Sequence, residues 1–190
     1  MDDTGQGPRD EATDDAVRAV AARNPRCPPA TLATLAGDPS TAVRLAVAAN
    51  PSTPAAALAA LATTSTPIQI VVATNPSAPA AALATLAGDY DSDVTAAVAA
   101  NPGAPAATLA LLVGDPDPQV RREVARNAAC PAGLLALLAS DRSAWVRAAV
   151  ASRLDCPPEL LARLAGGEGS GVEPAEEAWF EDDEPPPVYA

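Results

Sequence analysis

The 190-residue chain contains no histidine and no lysine. Without histidine there is no imidazole general base, no Ser-His-Asp or Cys-His arrangement and no histidine-held zinc. Without lysine there is no Schiff base and no phosphate-loop lysine. Aromatic residues make up only 3%. A core must therefore be built from Ala, Leu and Val, whose small side chains favour closely spaced helices over a thick sandwich. Three cysteines, an odd number, do not make an oxidised secreted framework. No apolar run of about 18 residues survives the recurring Asn-Pro and Gly-Asp breaks. The acidic start, Met1-Asp2-Asp3-Thr4-Gly5, lacks the apolar stretch of a secretory signal. These absences predict a cytoplasmic protein with no membrane span. The exclusive use of Arg, with abundant Ala, Pro and Gly, fits a GC-rich bacterial genome.

What is present is apolar and acidic. Hydrophobic residues reach 48%, 48 of the residues are Ala, and the formal net charge is -12. That charge is concentrated at the ends. Residues 1–15 hold six acids and one Arg, and residues 167–190 hold eight acids and no Arg. Residues 16–166 hold ten acids and eleven Arg, so the middle is nearly neutral. Acidic ends rich in Gly and Pro cannot bury enough apolar surface to fold alone. The expected organisation is a disordered acidic segment over 1–13, a folded unit over 14–166, and a disordered acidic tail over 167–190.

The folded unit is repetitive. Asn24-Pro25 returns as Asn50-Pro51, Asn75-Pro76 and Asn101-Pro102, then as Asn127-Ala128. A second proline column runs Pro28, Pro54, Pro79, Pro105, Pro131 and Pro157, each followed by a leucine pair such as Leu58/Leu61 or Leu109/Leu112. A branched column precedes each Asn: Val17, Val43, Ile68, Val94, Val120 and Val146. Within residues 38–62, Asp38 and Pro39 suit a helix start. Val43 and Val47 share a helix face, and Asn50-Pro51 stops that helix. Thr53-Pro54 starts a second helix that carries Leu58 and Leu61 inward. Gly37, Gly88 and Gly114 end the equivalent helices. Two short helices cannot hide their apolar stripes alone, so copies must stack. The expected fold is all-α, a solenoid of about six repeats of 25–26 residues.

The combination of Asp38, Val43-Arg44, Val47-Ala48, Asn50-Pro51, Pro54, Leu58 and Leu61-Ala62 resembles the leucine-rich repeat variant (LRV) family. The likeness spans roughly residues 14–166. It implies a right-handed superhelix of alternating α- and 3₁₀-helices without strands. HEAT-like repeats, the nearest rival, run to about 40 residues. One type of LRV protein carries a Cys-rich iron–sulfur segment at its N-terminus. Residues 1–15 hold no Cys, so no cluster and no other cofactor is expected here. Repeat three departs by one deletion, with Thr64 at the Asp position and Gln69 at the Arg position. Repeat four has Thr95 for Arg. The last repeat has Arg153 for Asn, which fits a terminal cap facing solvent.

No catalytic constellation emerges, and the chain is read as a non-enzyme. Cys27, Cys130 and Cys156 share one repeat position. Equivalent positions in stacked helices lie about 8–10 Å apart, too far for a disulfide. The Asp and Arg columns (Asp38/Arg44, Asp115/Arg121, Asp141/Arg147) read first as caps and ties between repeats, and the Asn column as turn ties. Arg is dense toward the C-terminal end, where seven Arg face four acids over residues 121–163. Trp145 is expected to cover the exposed end of the stack. The acidic tail follows a Gly-rich linker and carries Trp179-Phe180, a plausible recognition element. Pro186-Pro187-Val188-Tyr189 formally fits a WW-domain ligand, a coincidence in a bacterial chain. The expected function is a protein–protein interaction scaffold, with Arg121, Arg122, Arg126, Arg147, Trp179 and Phe180 as candidate partner-binding residues. The alternative is nucleic-acid binding through the Arg-rich C-terminal repeats, which the acidic tail disfavours.

Overall fold

A computed structural model describes residues 11–166, with side chains described from residue 14. Twelve helices follow one another in pairs: α1 (Glu11–Arg23) and α2 (Pro29–Leu35), α3 (Thr41–Ala49) and α4 (Ala55–Leu61), α5 (Thr66–Thr74) and α6 (Ala80–Leu86), α7 (Ser92–Ala100) and α8 (Ala106–Leu112), α9 (Pro118–Arg126) and α10 (Ala132–Leu138), α11 (Ala144–Ala151) and α12 (Pro158–Ala165). The described residues form no strand. Helix α1 begins three residues ahead of the boundary expected at 14. No described helix is long and apolar enough to cross a membrane.

Odd-numbered helices pack on one another in succession, and even-numbered helices pack against the odd helices beside them. The core lies between these layers. Val43, Val47, Ile68, Val72, Val94, Val98, Val120 and Val124 enter it from the odd helices; Leu32, Leu58, Leu83 and Leu109 enter from the even ones. Ala48, Ala73, Ala99 and Ala125 are fully buried between repeats, where a larger side chain would hold the helices apart. This close stacking of small residues is what an Ala-rich, aromatic-poor chain can build.

Both segments of each repeat are α-helical, which corrects the 3₁₀ alternation that the resemblance implies. The seven-residue α2 begins and ends on α-type bonds, Leu32 N–H to Pro28 and Ala36 N–H to Leu32. Tighter i→i+3 bonds occur at helix ends, as from Ala57 to Pro54, Asn50 to Val47 and Gly37 to Thr34, the usual place for them. Two cap assignments also change. Ser40, not Asp38, is the N-cap of α3, and the Asp38 carboxylate accepts the Ser40 N–H from outside the helix. Pro54, not Thr53, is the N-cap of α4. Thr53 instead donates its hydroxyl back to the Val47 carbonyl at 2.6 Å, closing the preceding helix. Gly37 and Gly88 follow α2 and α6 without entering left-handed space, because i→i+3 bonds close these helices. The deletion in repeat three falls in the turn between α4 and α5. That turn has four residues where the α2–α3 turn has five, and the core columns keep their phase.

Repeats are joined through the asparagine column. The Asn50 amide donates to the carbonyls of Ala22 and Asn24 in the preceding repeat, at 2.6 and 2.8 Å. Asn75 reaches Ala48 and Asn50, Asn101 reaches Ala73 and Asn75, and Asn127 reaches Ala99 and Asn101. Each Asn oxygen meanwhile accepts a backbone N–H two residues on, from Ser52, Ser77, Gly103 and Ala129. One buried side chain thus pairs three backbone groups, two carbonyls of the repeat before and one N–H of its own turn.

Arg153 performs the same task. Its Nη1 donates to Ala125 and Asn127 at 2.9 and 2.6 Å, while Nε and Nη2 hold Asp155. Its side chain is nearly buried, so it is a working substitute for Asn and not a solvent-facing cap.

Asn101→Ala leaves two buried carbonyls without a donor. It is expected to cost about 2–4 kcal/mol in urea unfolding. Asn24→Ala, at an exposed site, is expected to cost less than about 1 kcal/mol.

Candidate interaction surface

The arginine column is mostly spent inside the molecule. Arg44, Arg121 and Arg147 each turn Nη1 onto two carbonyls of the loop before their own helix: Asp38 and Pro39, Asp115 and Pro116, Asp141 and Arg142. Arg18 and Arg121 also bridge to the next repeat, pairing with Asp38 and Asp141 at 2.7 Å. Gln69 replaces that bridge with a neutral one, donating to Asp89 at 3.2 Å. The central interruption in the Arg column is therefore partly filled. Asp38, Asp89, Asp115 and Asp141 each also accept a backbone N–H two residues on.

Burial fixes the electrostatics of the Arg121–Asp141 pair. Desolvation by itself would raise the Asp141 pKa. The Arg121 bonds and the Ser143 N–H outweigh it and hold the carboxyl below its ordinary range. Asp38 is also lowered, chiefly by its hydrogen bond from Arg18. The three cysteines are free, buried thiols, occupying the position of Thr53, Ala78 and Ala104. Burial pushes the Cys130 and Cys156 thiols up, away from the reactive thiolate. Among the described residues no cluster of His, Cys, Asp or Glu could hold a metal ion.

Of the expected binding residues, Arg121 is removed by the structure. It is buried and fully engaged with Asp141 and two carbonyls. Arg147 is half-buried and bound to its loop. Arg122 and Arg126 remain on the outer face of α9, with Glu123 between them at 3.0 and 3.6 Å. Trp179 and Phe180 lie outside the described residues, as do residues 1–10 and 167–190.

A residue outside the expected set completes the surface. Trp145, the second residue of α11, is 75% exposed, so it does not cover the end of the stack. It stands between two adjoining grooves. One is lined by Asp117, Pro118, Gln119 and Arg122, the other by Arg122, Arg126, Ala148, Ala149 and Ser152. The groove volumes are about 290 and 250 Å³. The signal for this role was present in the sequence. Trp145 immediately precedes the buried Val146, and adjacent helical positions do not share a face.

The folded Asp141 carboxyl ionises below the unfolded one. Its contribution is thus present above the unfolded pKa and lost as pH falls through the folded value. Asp141→Asn is expected to cost about 3 kcal/mol at neutral pH, the scale for breaking a buried pair. It should also flatten the stability profile below about pH 5, read by urea unfolding across pH.

Comparison with known proteins places these repeats. Residues 15–40, 41–63 and 144–166 match the family described as "Leucine rich repeat variant". Among solved structures, the chain is similar to one described as "a leucine-rich repeat variant with a novel repetitive protein structural motif". The two share 28% identity with a TM-score of 0.53, over 81% of this chain and 71% of that one. No curated protein matches the chain. The Asn-linked stack of two-helix units is thus similar to the leucine-rich repeat variant family at both of its ends and to a solved leucine-rich repeat variant fold over most of its length.

Proposed function

We propose that the chain is a non-catalytic protein-interaction module whose binding surface is the outer face of α9 and α11, and that this surface takes acidic segments bearing an aromatic residue. The observation that carries this reading is Trp145, 75% exposed beside Arg122 and Arg126. A large aromatic left in water beside guanidinium groups is the composition of an interface hot spot. Solenoids present such faces on a rigid support. An acidic aromatic ligand would stack on Trp145 while its carboxylates meet two arginines that Glu123 only partly neutralises.

The chain carries a ligand of that chemistry itself. Residues 173–184 hold seven acids around Trp179-Phe180, joined to α12 through a Gly-rich stretch. The tail is thus a candidate self-ligand that an external acidic partner would displace.

The nucleic-acid alternative draws less support, because the C-terminal arginines are committed elsewhere. Arg121, Arg147 and Arg153 bind carbonyls or carboxylates, and Arg163 donates to Ala136. Few remain to neutralise phosphates.

The test is a fluorescent peptide of residues 173–184 titrated onto a chain ending at residue 166. Binding is expected at low salt. It should weaken at least about tenfold, about 1.4 kcal/mol, in Trp145→Ala and in Arg126→Glu, and should weaken again on raising salt. Absence of peptide binding at low salt, or binding indifferent to both substitutions, overturns the assignment.

A further inference from the structure

We propose that the two ends of the solenoid are complementary faces and that a second copy of this chain stacks on them head to tail. Three features of the repeat interface support this, and none involves the Trp145 surface.

The first is the branched column. Val43, Ile68, Val94, Val120 and Val146 are fully buried, whereas Val17, in the same column, is 62% exposed and Val20 beside it 65%. Val146 lies in the last repeat and is buried all the same, so it is the preceding repeat that covers this column. The second is the alanine column. Ala22, Ala48, Ala73, Ala99 and Ala125 are fully buried, whereas Ala151 is exposed. Ala22 lies in the first repeat and is buried, so it is the following repeat that covers this column. Each end therefore displays the face that, four or five times inside the molecule, packs against the other end's face.

The third feature is hydrogen-bond register. Each internal Asn amide donates to two carbonyls of the preceding repeat. The first of the column, Asn24, accepts the Arg26 N–H through its oxygen, but its amide has no acceptor among the described residues. At the far end, the Ala151 and Arg153 carbonyls hold the places that Ala125 and Asn127 hold one repeat earlier. The turn around them repeats the earlier one: Arg153 N–H to Val150 and Cys156 N–H to Arg153 match Asn127 to Val124 and Cys130 to Asn127. A second copy set one repeat further along brings its α1 onto α11 as α11 lies on α9. Its Asn24 amide then meets the carbonyls of Ala151 and Arg153, while Val17 and Ala151 are covered together.

Such a contact is heterologous and does not close on itself. The acidic stretches next to each end oppose it. Residues 1–15 of one copy and 167–190 of the next carry six and eight acids, and salt screens their repulsion. Association is therefore expected to strengthen as ionic strength rises.

Sedimentation of the full chain in 1 M NaCl, where screening acts within about 3 Å, tests the proposal over a concentration series. The expected mass rises above the 18.9 kDa of one chain as concentration increases. Val17→Asp blocks the N-terminal face and Ala151→Arg the C-terminal face. Both positions are exposed in the single chain, and circular dichroism verifies that each variant keeps its helix content. Each variant alone is expected to stay at the mass of one chain. Their equimolar mixture is expected to form a species of two chains and stop there, because pairing uses the one open face of each variant and leaves only blocked faces outside. A wild-type chain that stays single at every concentration overturns the proposal, as does a variant that self-associates like wild type or a mixture that does not pair.

Discussion

A buried carbonyl needs a donor, and in this molecule the donor comes from the next repeat. Two helices meeting at a tight turn leave backbone oxygens unpaired, and stacking a further repeat on top cuts them off from water. The asparagine side chain resolves both ends of the problem. Its amide reaches back to two carbonyls of the repeat below while its oxygen holds the turn of its own repeat. The spacing between repeats, the small alanines in the contact and the extended conformation at each Asn are consistent with that reach. Arg153 shows that the requirement is a donor in the right place and not asparagine as such. A longer side chain serves the same two carbonyls, with Asp155 holding the remainder of its guanidinium.

The same logic governs the charged columns. Loop carbonyls before each odd helix also need donors, and Arg44, Arg121 and Arg147 supply them. An arginine that binds two carbonyls and a buried carboxylate is structural material, whatever its formal charge. The positive balance of residues 121–163 is therefore a poor measure of what the surface offers a partner. The side chains this region leaves at the surface include Arg122 and Arg126 on α9, their shared Glu123, the exposed Arg142, and Trp145 across the groove.

A stack of this kind is close to one-dimensional. Stability comes from each repeat and its neighbours, so the first and last repeats lack half of what the interior ones have. Val17 and Val20 at one end and Ala151 at the other are exposed for that reason alone. Among the described residues no polar cap covers either end.

Much of the architecture was legible in the order of residues. The 25–26-residue period, the alternation of branched and leucine columns, and the Asn-Pro breaks determined a two-helix repeat and its stacking, because a short amphipathic helix has no other way to bury its stripe. The inward direction of the valines and leucines followed from the same periodicity. Local hydrogen-bond choices did not follow. Asp38 and Thr53 look like N-caps by residue type, yet Asp38 ties the turn ahead of Ser40 and Thr53 closes the preceding helix, since both geometries suit the same short polar side chains. The partners of Asn50, Arg153 and Arg121 lie 20 to 28 residues away, and only the packed stack decides which carbonyl is within reach. For the same reason the sequence determined that Arg121 and Arg122 are both positive. Tertiary structure alone decided that one is buried scaffold and the other faces a groove, because adjacent helical positions point in different directions and only one direction meets the next repeat.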